Sequence, residues 1–407
     1  MVRCRSCRSE LKLTLIDLGN SPIANNLETD NNLNLQSKKF PLKVLTCHVC
    51  SLVQLSETIS EKKLFASNYS YYSSYSTSWL THSKNYVDEI IHFLELNEND
   101  LVIEIASNDG YLLQFFREAG INVLGIEPAA DVANVAINKK IPTVTDYFSE
   151  SIAKKLSAKL KPKLILGNNV LAHVPDIQDF VRGLDILLCD DGIITLEFPH
   201  LLNLIKFNQF DTIYHEHYSY LSVTALIPIF AQHNMKIFDI KELSTHGGSL
   251  RIYVAKKSSK WEIKESVERI IHEESKYDPR DEFIYTNLQD RVLLLKKSLM
   301  REMFELKNSG LKIAAYGAAA KGVTLLNYCG INSDIIDYVV DMNPHKQGKF
   351  LPGLRIPIVE IRRLLQEPPD VLLVLPWNLS TEIKKSILEF KDLQFKFLRA
   401  IPRVEFF

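Results

Sequence analysis

Four of the six cysteines stand as two C-x-x-C turns, Cys4-Arg5-Ser6-Cys7 and Cys47-His48-Val49-Cys50. Each turn aims two thiolates at one ion, and two such turns complete a tetrahedral S4 shell for zinc. A closed four-thiolate shell leaves no position for substrate, so a structural zinc held by Cys4, Cys7, Cys47 and Cys50 is expected, with His48 a bystander. The stretch between the turns, residues 8–46, is longer than a zinc-ribbon gap, so an Asn- and Asp-rich insertion is expected to loop out. The competing readings are a redox pair or two disulfides. A redox C-x-x-C opens a helix after a strand, and that pattern is missing here.

A second group of chemistry-bearing residues surrounds Leu101-Val102-Ile103-Glu104-Ile105, which reads as a buried strand. Ala106-Ser107-Asn108-Asp109-Gly110 reads as the following turn, Tyr111 to Ala119 as a helix, and Asn122 to Ile126 as a second strand ending in Glu127. An acid at the tip of that second strand suits the two hydroxyls of a ribose at the carboxyl edge of a parallel sheet. A dinucleotide needs several glycines for backbone approach to its pyrophosphate. This loop has one glycine and an acidic cluster. S-adenosylmethionine lacks phosphates and carries an ammonium and a sulfonium, so Glu104 and Asp109 favour it over NAD. Asn108, Gly110 and Glu127 complete the expected donor contacts, with Asp146 in Thr145-Asp146-Tyr147-Phe148 near adenine. Asn168, after the strand candidate Leu164-Ile165-Leu166, joins them.

Three further strings follow: Asn169-Val170-Leu171-Ala172-His173-Val174-Pro175, then Tyr214-His215-Glu216-His217, then His246-Gly247-Gly248-Ser249-Leu250-Arg251. Taken alone, the H-E-H segment could be a solvated loop, a pair of metal ligands or a catalytic group. On an extended strand its two histidines would share a face, with Glu216 on the other. A tyrosine-rich stretch, Tyr69-Ser70-Tyr71-Tyr72-Ser73-Ser74-Tyr75, lies upstream and reads equally as a junction cover or a pocket wall.

In this order, with the paired knuckles and the E-x-A-x-N-D-G loop, the strings resemble the sugar C-methyltransferases of deoxysugar biosynthesis. The resemblance runs essentially end to end. It implies methylation of C-3 of a 4-keto-deoxyhexose carried on a nucleotide, dTDP in the family. It also implies that His217, Tyr214, Glu216, His173 and, among the neighbouring tyrosines, Tyr69 line the reacting carbon. The family carries glycine where this loop has Ala106. On chemical grounds His217 is the expected base and Tyr214 the expected hydrogen-bond donor to the enolate oxygen, with His173 the main rival as base.

The last third supplies a second unit. Trp261 to Gly310 has the spacing of long connecting helices. Leu311 to Tyr316 reads as a strand before Gly317-Ala318-Ala319-Ala320-Lys321-Gly322, a small-residue loop at a helix start that suits anionic oxygens. Strands ending at Asp341 and at Leu375, before Pro376-Trp377-Asn378, complete a Rossmann-like set. His246, Gly247, Gly317, Ala318, Lys321, Trp377 and Asn378 are the expected contacts to the nucleotide sugar.

The expected fold is therefore α/β: an N-terminal zinc-binding domain over residues 1–67, a class I methyltransferase Rossmann-like domain over 68–257, and a second Rossmann-like domain over 258–407. A hydrophobic share of 46% and a net charge of −1 fit packed cores and argue against a nucleic-acid surface. No apolar run reaches membrane-spanning length, and Met1-Val2-Arg3-Cys4 leads into no signal-peptide core, so a cytoplasmic monomer or weak homo-oligomer is expected. The alternatives are an NAD-dependent sugar-nucleotide oxidoreductase or epimerase, which would bind nicotinamide, and a zinc-ribbon RNA methyltransferase, which would need a basic surface.

Overall fold

The computed structural model describes residues 2–30, 37–60, 72–389 and 395–407. Its centre is a seven-stranded sheet. In spatial order the strands are Met235–Leu243, Ser249–Lys256, Ile193–Pro199, Leu164–Asn168, Leu101–Ile105, Asn122–Ile126 and Thr143–Val144. Six run in one direction; Ser249–Lys256 alone in this sheet is antiparallel, to both of its neighbours. The parallel strands are near-continuous apolar runs because helices cover both faces, leaving residues such as Ile103, Ile165 and Ile194 fully buried. Strand order reverses between Leu101–Ile105 and Leu164–Asn168, which opens a crevice at their carboxyl ends.

The donor loop leaves the first of these strands through unusual backbone. Ala106 has φ 56°, Asn108 has φ 50° and Gly110 has φ 75°. At Gly110 an added Cβ would come within 2.4 Å of the Ile141 side chain, so geometry and space both demand glycine. Ala106 adopts the left-handed conformation that the missing glycine would take without strain. The helix expected from Tyr111 to Ala119 is shorter, Leu113–Glu118, because this tight loop consumes its first residues.

The second sheet orders Ile358–Val359, Val339–Val340, Ile313–Tyr316, Val371–Val374, Lys396–Arg399 and Glu405–Phe406, parallel except for its last strand. Here the reversal falls between Ile313–Tyr316 and Val371–Val374, so the loops starting at Gly317 and Pro376 share one edge. The connecting helices are Glu265–Ser275 and Glu282–Asn308. Among the described residues no helix is long and apolar enough to cross a membrane.

The N-terminal unit departs from expectation. The stretch between the two cysteine turns does not simply loop out: it builds the antiparallel strands Leu13–Pro22 and Lys39–Thr46 of a four-stranded sheet. Alternating buried residues such as Leu42 and Val44 give that hairpin an apolar face to pack. Val53–Leu55 is the third strand. The fourth, Ser219–Tyr220, arrives from more than 160 residues later, pairing Val53 with Tyr220 and Gln54 with Ser219. One apolar core runs from Leu15 and Val44 of this sheet through Phe210 to Leu299 on the long helix and Ile313 of the second sheet.

Replacing Ala106 by glycine removes the left-handed strain at the cost of a more flexible unfolded chain. The expected net result is a protein more stable by about 0.5–1 kcal/mol, read as a higher urea midpoint at unchanged m-value.

Candidate active site

The cysteine turns meet as the spacing predicts. Cys4 and Cys50 sulfurs lie 3.5 Å apart, as do those of Cys7 and Cys47, and all four fall within 4.8 Å of one another. A tetrahedral zinc with Zn–S near about 2.3 Å requires sulfur–sulfur edges of this size. The four sulfurs are placed to close a structural zinc shell.

At the central crevice the donor loop wraps a buried acidic group. Glu104 is fully buried, and among the described residues neither carboxylate oxygen has a donor other than the Tyr111 hydroxyl; burial pushes it well above the usual carboxylate range. Glu127 accepts from the backbone N–H of Asn108 at 3.0 Å and of Ala129 at 2.8 Å, and burial pushes it up to about 7. These bonds fix the carboxylate at the strand tip and leave lone pairs for further donors. Asp109 is held by Lys139 at 3.3 Å and by the Ser74 hydroxyl, with Oδ1 buried and without a partner among the described residues. Asn108 accepts from the Ser73 N–H at 2.9 Å, and the buried Asn168 Nδ2 has no partner among the described residues. Buried acceptors short of donors suit a cationic ligand bearing hydroxyls and an ammonium. Asp146 is exposed and caps the Tyr147 N–H at 2.8 Å, at the rim.

Tyr214 to His217 form a tight turn, closed by the His217 N–H on the Tyr214 carbonyl at 3.0 Å, and not the extended segment considered from the sequence. The turn puts the rings of residues 214 and 217 together, with centroids 4.0 Å apart. His217 Nδ1 faces the Thr212 carbonyl at 2.9 Å, and a carbonyl can only accept. Nδ1 therefore carries the proton, and Nε2 accepts from the Tyr214 hydroxyl at 2.9 Å. His173 obeys the same logic: its Nδ1 donates to the Glu216 carbonyl at 2.6 Å, and its ring lies 4.7 Å from that of His217. Burial pulls His173 down to about 4. Burial first, and then His173, holds His217 well below the usual imidazole range. Both rings are neutral bases at physiological pH. Glu216 is buried, its Oε1 taken by the Asn25 backbone N–H at 3.2 Å and side-chain amide at 3.0 Å. Tyr69 lies outside the described residues.

The C-terminal unit reaches the same place. Lys321 donates to Asn378 at 2.8 Å and sits 4.7 Å from the centre of the Trp377 ring. Trp377 donates its indole N–H to Asp211 at 2.7 Å, and a Cβ on Gly247 would strike the ring at 2.3 Å. His246, at φ 54°, accepts from the Asn169 amide at 3.1 Å. Burial, then the Lys321 charge, lowers it to about 4. The small-residue loop is otherwise engaged: the Gly317 N–H bonds Val340 O at 2.7 Å and the Ala318 N–H bonds Asp341 at 2.8 Å. Both of these N–H groups, at Gly317 and Ala318, are thus engaged within the C-terminal unit.

Four residues escaped the sequence reading. Asp211 is fully buried, has one oxygen without a partner among the described residues, and is pushed by burial up to about 6 against the pull of Lys321. Glu197 binds His82 at 2.9 Å, Thr245 at 2.9 Å and Arg251 at 2.6 Å. Burial acts to raise Glu197, but the His82 bond and the Arg251 charge outweigh it and hold it at about 2. The Trp79 ring stacks on His82 at 5.0 Å and reaches His246 at 5.3 Å. Glu197 had a signal, a lone acid in the apolar run of Ile193–Pro199. Asp211, His82 and Trp79 had none.

Trp377→Phe leaves the Asp211 carboxylate buried without its indole donor. Thermal and urea denaturation should show a loss of about 1–3 kcal/mol, which Trp377→Phe/Asp211→Leu should largely restore.

Family models match the chain in three consecutive stretches: a zinc binding domain at residues 4–65, a methyltransferase domain at 79–239 and a C-methyltransferase C-terminal domain at 244–402. C-methyltransferase NovU of Streptomyces niveus is 33% identical over 403 residues, covering 98% of this chain and 95% of that protein. Among solved structures, an S-adenosylmethionine-dependent methyltransferase from Clostridium acetobutylicum aligns with 44% of this chain and 92% of its own, at 10% identity and a TM-score of 0.35. Magnesium protoporphyrin IX methyltransferase from Synechocystis covers 42% of this chain and 79% of its own, at 17% identity and a TM-score of 0.32. With three matching models in order and a relative this similar along its whole length, the chain belongs to the S-adenosylmethionine-dependent C-methyltransferases.

Proposed function

We propose that the chain methylates C-3 of a nucleotide-linked 4-keto-deoxysugar, of the dTDP type, through an enolate. The observation that carries this reading is the group of Tyr214, His217 and His173, in which the buried His217 ring meets a phenol on one side and a second neutral imidazole on the other. A proton next to a ketone is acidic enough for a neutral base held in place, and a site without water favours the enolate's survival. Bound S-adenosylmethionine supplies an electrophilic methyl group.

The residues divide the remaining work. Because the Tyr214 hydroxyl already donates to His217, the two act as one relay. The C-3 proton passes to the Tyr214 oxygen as that hydroxyl's proton moves to Nε2 of His217, and the electron pair of the broken C–H bond enters the enolate. This revises the simpler assignment of Tyr214 as donor to the enolate oxygen, since its one proton is committed to His217. The Nδ1 bond to Thr212 stabilises the imidazolium that results. Lys321, with Asn378 and Trp377, offers the cation for the sugar nucleotide's phosphates, and His246 and Gly247 face the same cleft from the middle unit. Glu104, Asn108, Asp109, Gly110, Glu127 and Asn168 form the donor side, with Glu127 on the ribose hydroxyls.

In deuterated water without donor, wild type should exchange the C-3 proton of a 4-keto sugar nucleotide. His217→Asn should lose both this exchange and methyl transfer while binding donor and sugar nearly as before. Exchange that persists in His217→Asn but vanishes in His173→Asn makes His173 the base. For the donor, calorimetry of Glu127→Gln should show S-adenosylmethionine binding weakened by about 1.5–3 kcal/mol, the range for hydrogen bonds to a charged group. Unchanged affinity removes Glu127 from the site.

A further inference from the structure

The zinc knuckle lies against the reacting residues, and one side chain makes the connection. Arg5 sits between the ligands Cys4 and Cys7. Its backbone N–H is held by the Gln54 side chain at 2.8 Å, inside the N-terminal sheet. Its guanidinium forks in two directions. Nη1 donates to the Val174 carbonyl at 3.1 Å and the Pro175 carbonyl at 3.4 Å. Nη2 donates to the Tyr218 carbonyl and to the Ser219 hydroxyl, the latter at 2.7 Å. Val174 follows His173, and Tyr218 follows His217. One planar cation thus holds the residue after each imidazole, from two segments more than 40 positions apart in the chain.

We propose that Arg5 is a positioning residue for the reaction: the zinc knuckle sets the spacing of His173 and His217 through this guanidinium. A guanidinium suits the task because its donors form a rigid fork, whereas a lysine ammonium would satisfy one direction at a time. Both imidazole tautomers depend on carbonyls of the clamped neighbourhood, Glu216 for His173 and Thr212 for His217. The N-terminal unit braces the same segment elsewhere, through Asn25 on Glu216 and the Ile59 carbonyl on the Tyr218 hydroxyl at 2.6 Å. Those contacts fix where the segment lies, while Arg5 ties it to the backbone of the His173 loop, beside the direct bond from His173 to the Glu216 carbonyl. On this view the metal that the sequence reading set apart from the chemistry holds the turn from which the clamp projects.

The test compares Arg5→Ala and Arg5→Lys with wild type in the full zinc-loaded chain. Metal analysis should find the same zinc content in all three, and calorimetry with S-adenosylhomocysteine the same donor affinity. Histidine-selective nitrogen NMR should show the Nδ1–H tautomer for His173 and His217 in wild type and a tautomer mixture in Arg5→Ala. On the proposed sugar substrate, kcat should fall about a hundredfold in Arg5→Ala, the scale of an ångström's misplacement, with KM little changed. Millimolar guanidinium should restore part of that loss. If Arg5→Ala does not fold, Arg5→Lys, which keeps the charge, should still show the altered tautomers and a reduced kcat. Unaltered tautomers with an unaltered kcat in either folded variant overturn the proposal. The activity arm rests on the proposed substrate: if wild type turns over no 4-keto sugar nucleotide, that reading fails, while the histidine spectra still decide the role of Arg5.

Discussion

Two backbone rungs, Val53 to Tyr220 and Gln54 to Ser219, carry the arrangement on which the rest depends. They make the segment around residues 210–220 a member of the N-terminal sheet although it leaves the chain of the central one. The C-terminal unit holds the same segment from the other side, through Thr324 on the Ile213 carbonyl at 2.9 Å and Trp377 on Asp211 at 2.7 Å. A stretch gripped from three directions can keep His217 and Tyr214 in one rotamer pair without a regular element beneath them. Loops carry chemistry when a rigid scaffold positions them, and here the scaffold consists of three sheets.

The electrostatics follow from that enclosure. Removing His173, His217 and His246 from water disfavours their charged forms, and Lys321 nearby adds to the penalty for His217 and His246. The same burial raises Glu104, Glu127 and Asp211. Weakened bases and weakened acids therefore share one region, a state that costs stability and suits proton transfer between groups of similar affinity. Glu197 is the contrast: with His82, Arg251 and Thr245 around it, the carboxylate stays charged and acts as a fixed strut under Trp79 and His246.

Much was legible in the residues alone. The paired cysteine turns converge, and the strand–loop–helix–strand unit ending in Glu127 and the small-residue loop after Tyr316 lie at the sheet edges expected for them. These signals are local, resting on periodicity, turn chemistry and ligand spacing that a few neighbouring residues determine. The wrong details were those where a distant partner intervenes. Tyr214 to His217 turn tightly instead of running extended, and the chain then pairs at Ser219 and Tyr220 with the distant strand Val53–Leu55. The stretch between the cysteine turns folds as a hairpin because an apolar core from the C-terminal unit waits beneath it.

What the sequence by itself determined is the kit: a four-thiolate metal site, a donor loop suited to a cation, two histidines and a tyrosine with the chemistry of a base, and two parallel sheets to display them. What only the tertiary structure decided is which groups meet. That Tyr214 is committed to His217, that both imidazoles protonate at Nδ1, that Asp211 and Lys321 share a pocket, and that Arg5 reaches both histidine loops depend on contacts between residues up to more than 200 positions apart. Such contacts leave no trace in spacing, because a hydrogen bond depends on distances and directions in space, and chain separation encodes neither once the backbone has turned.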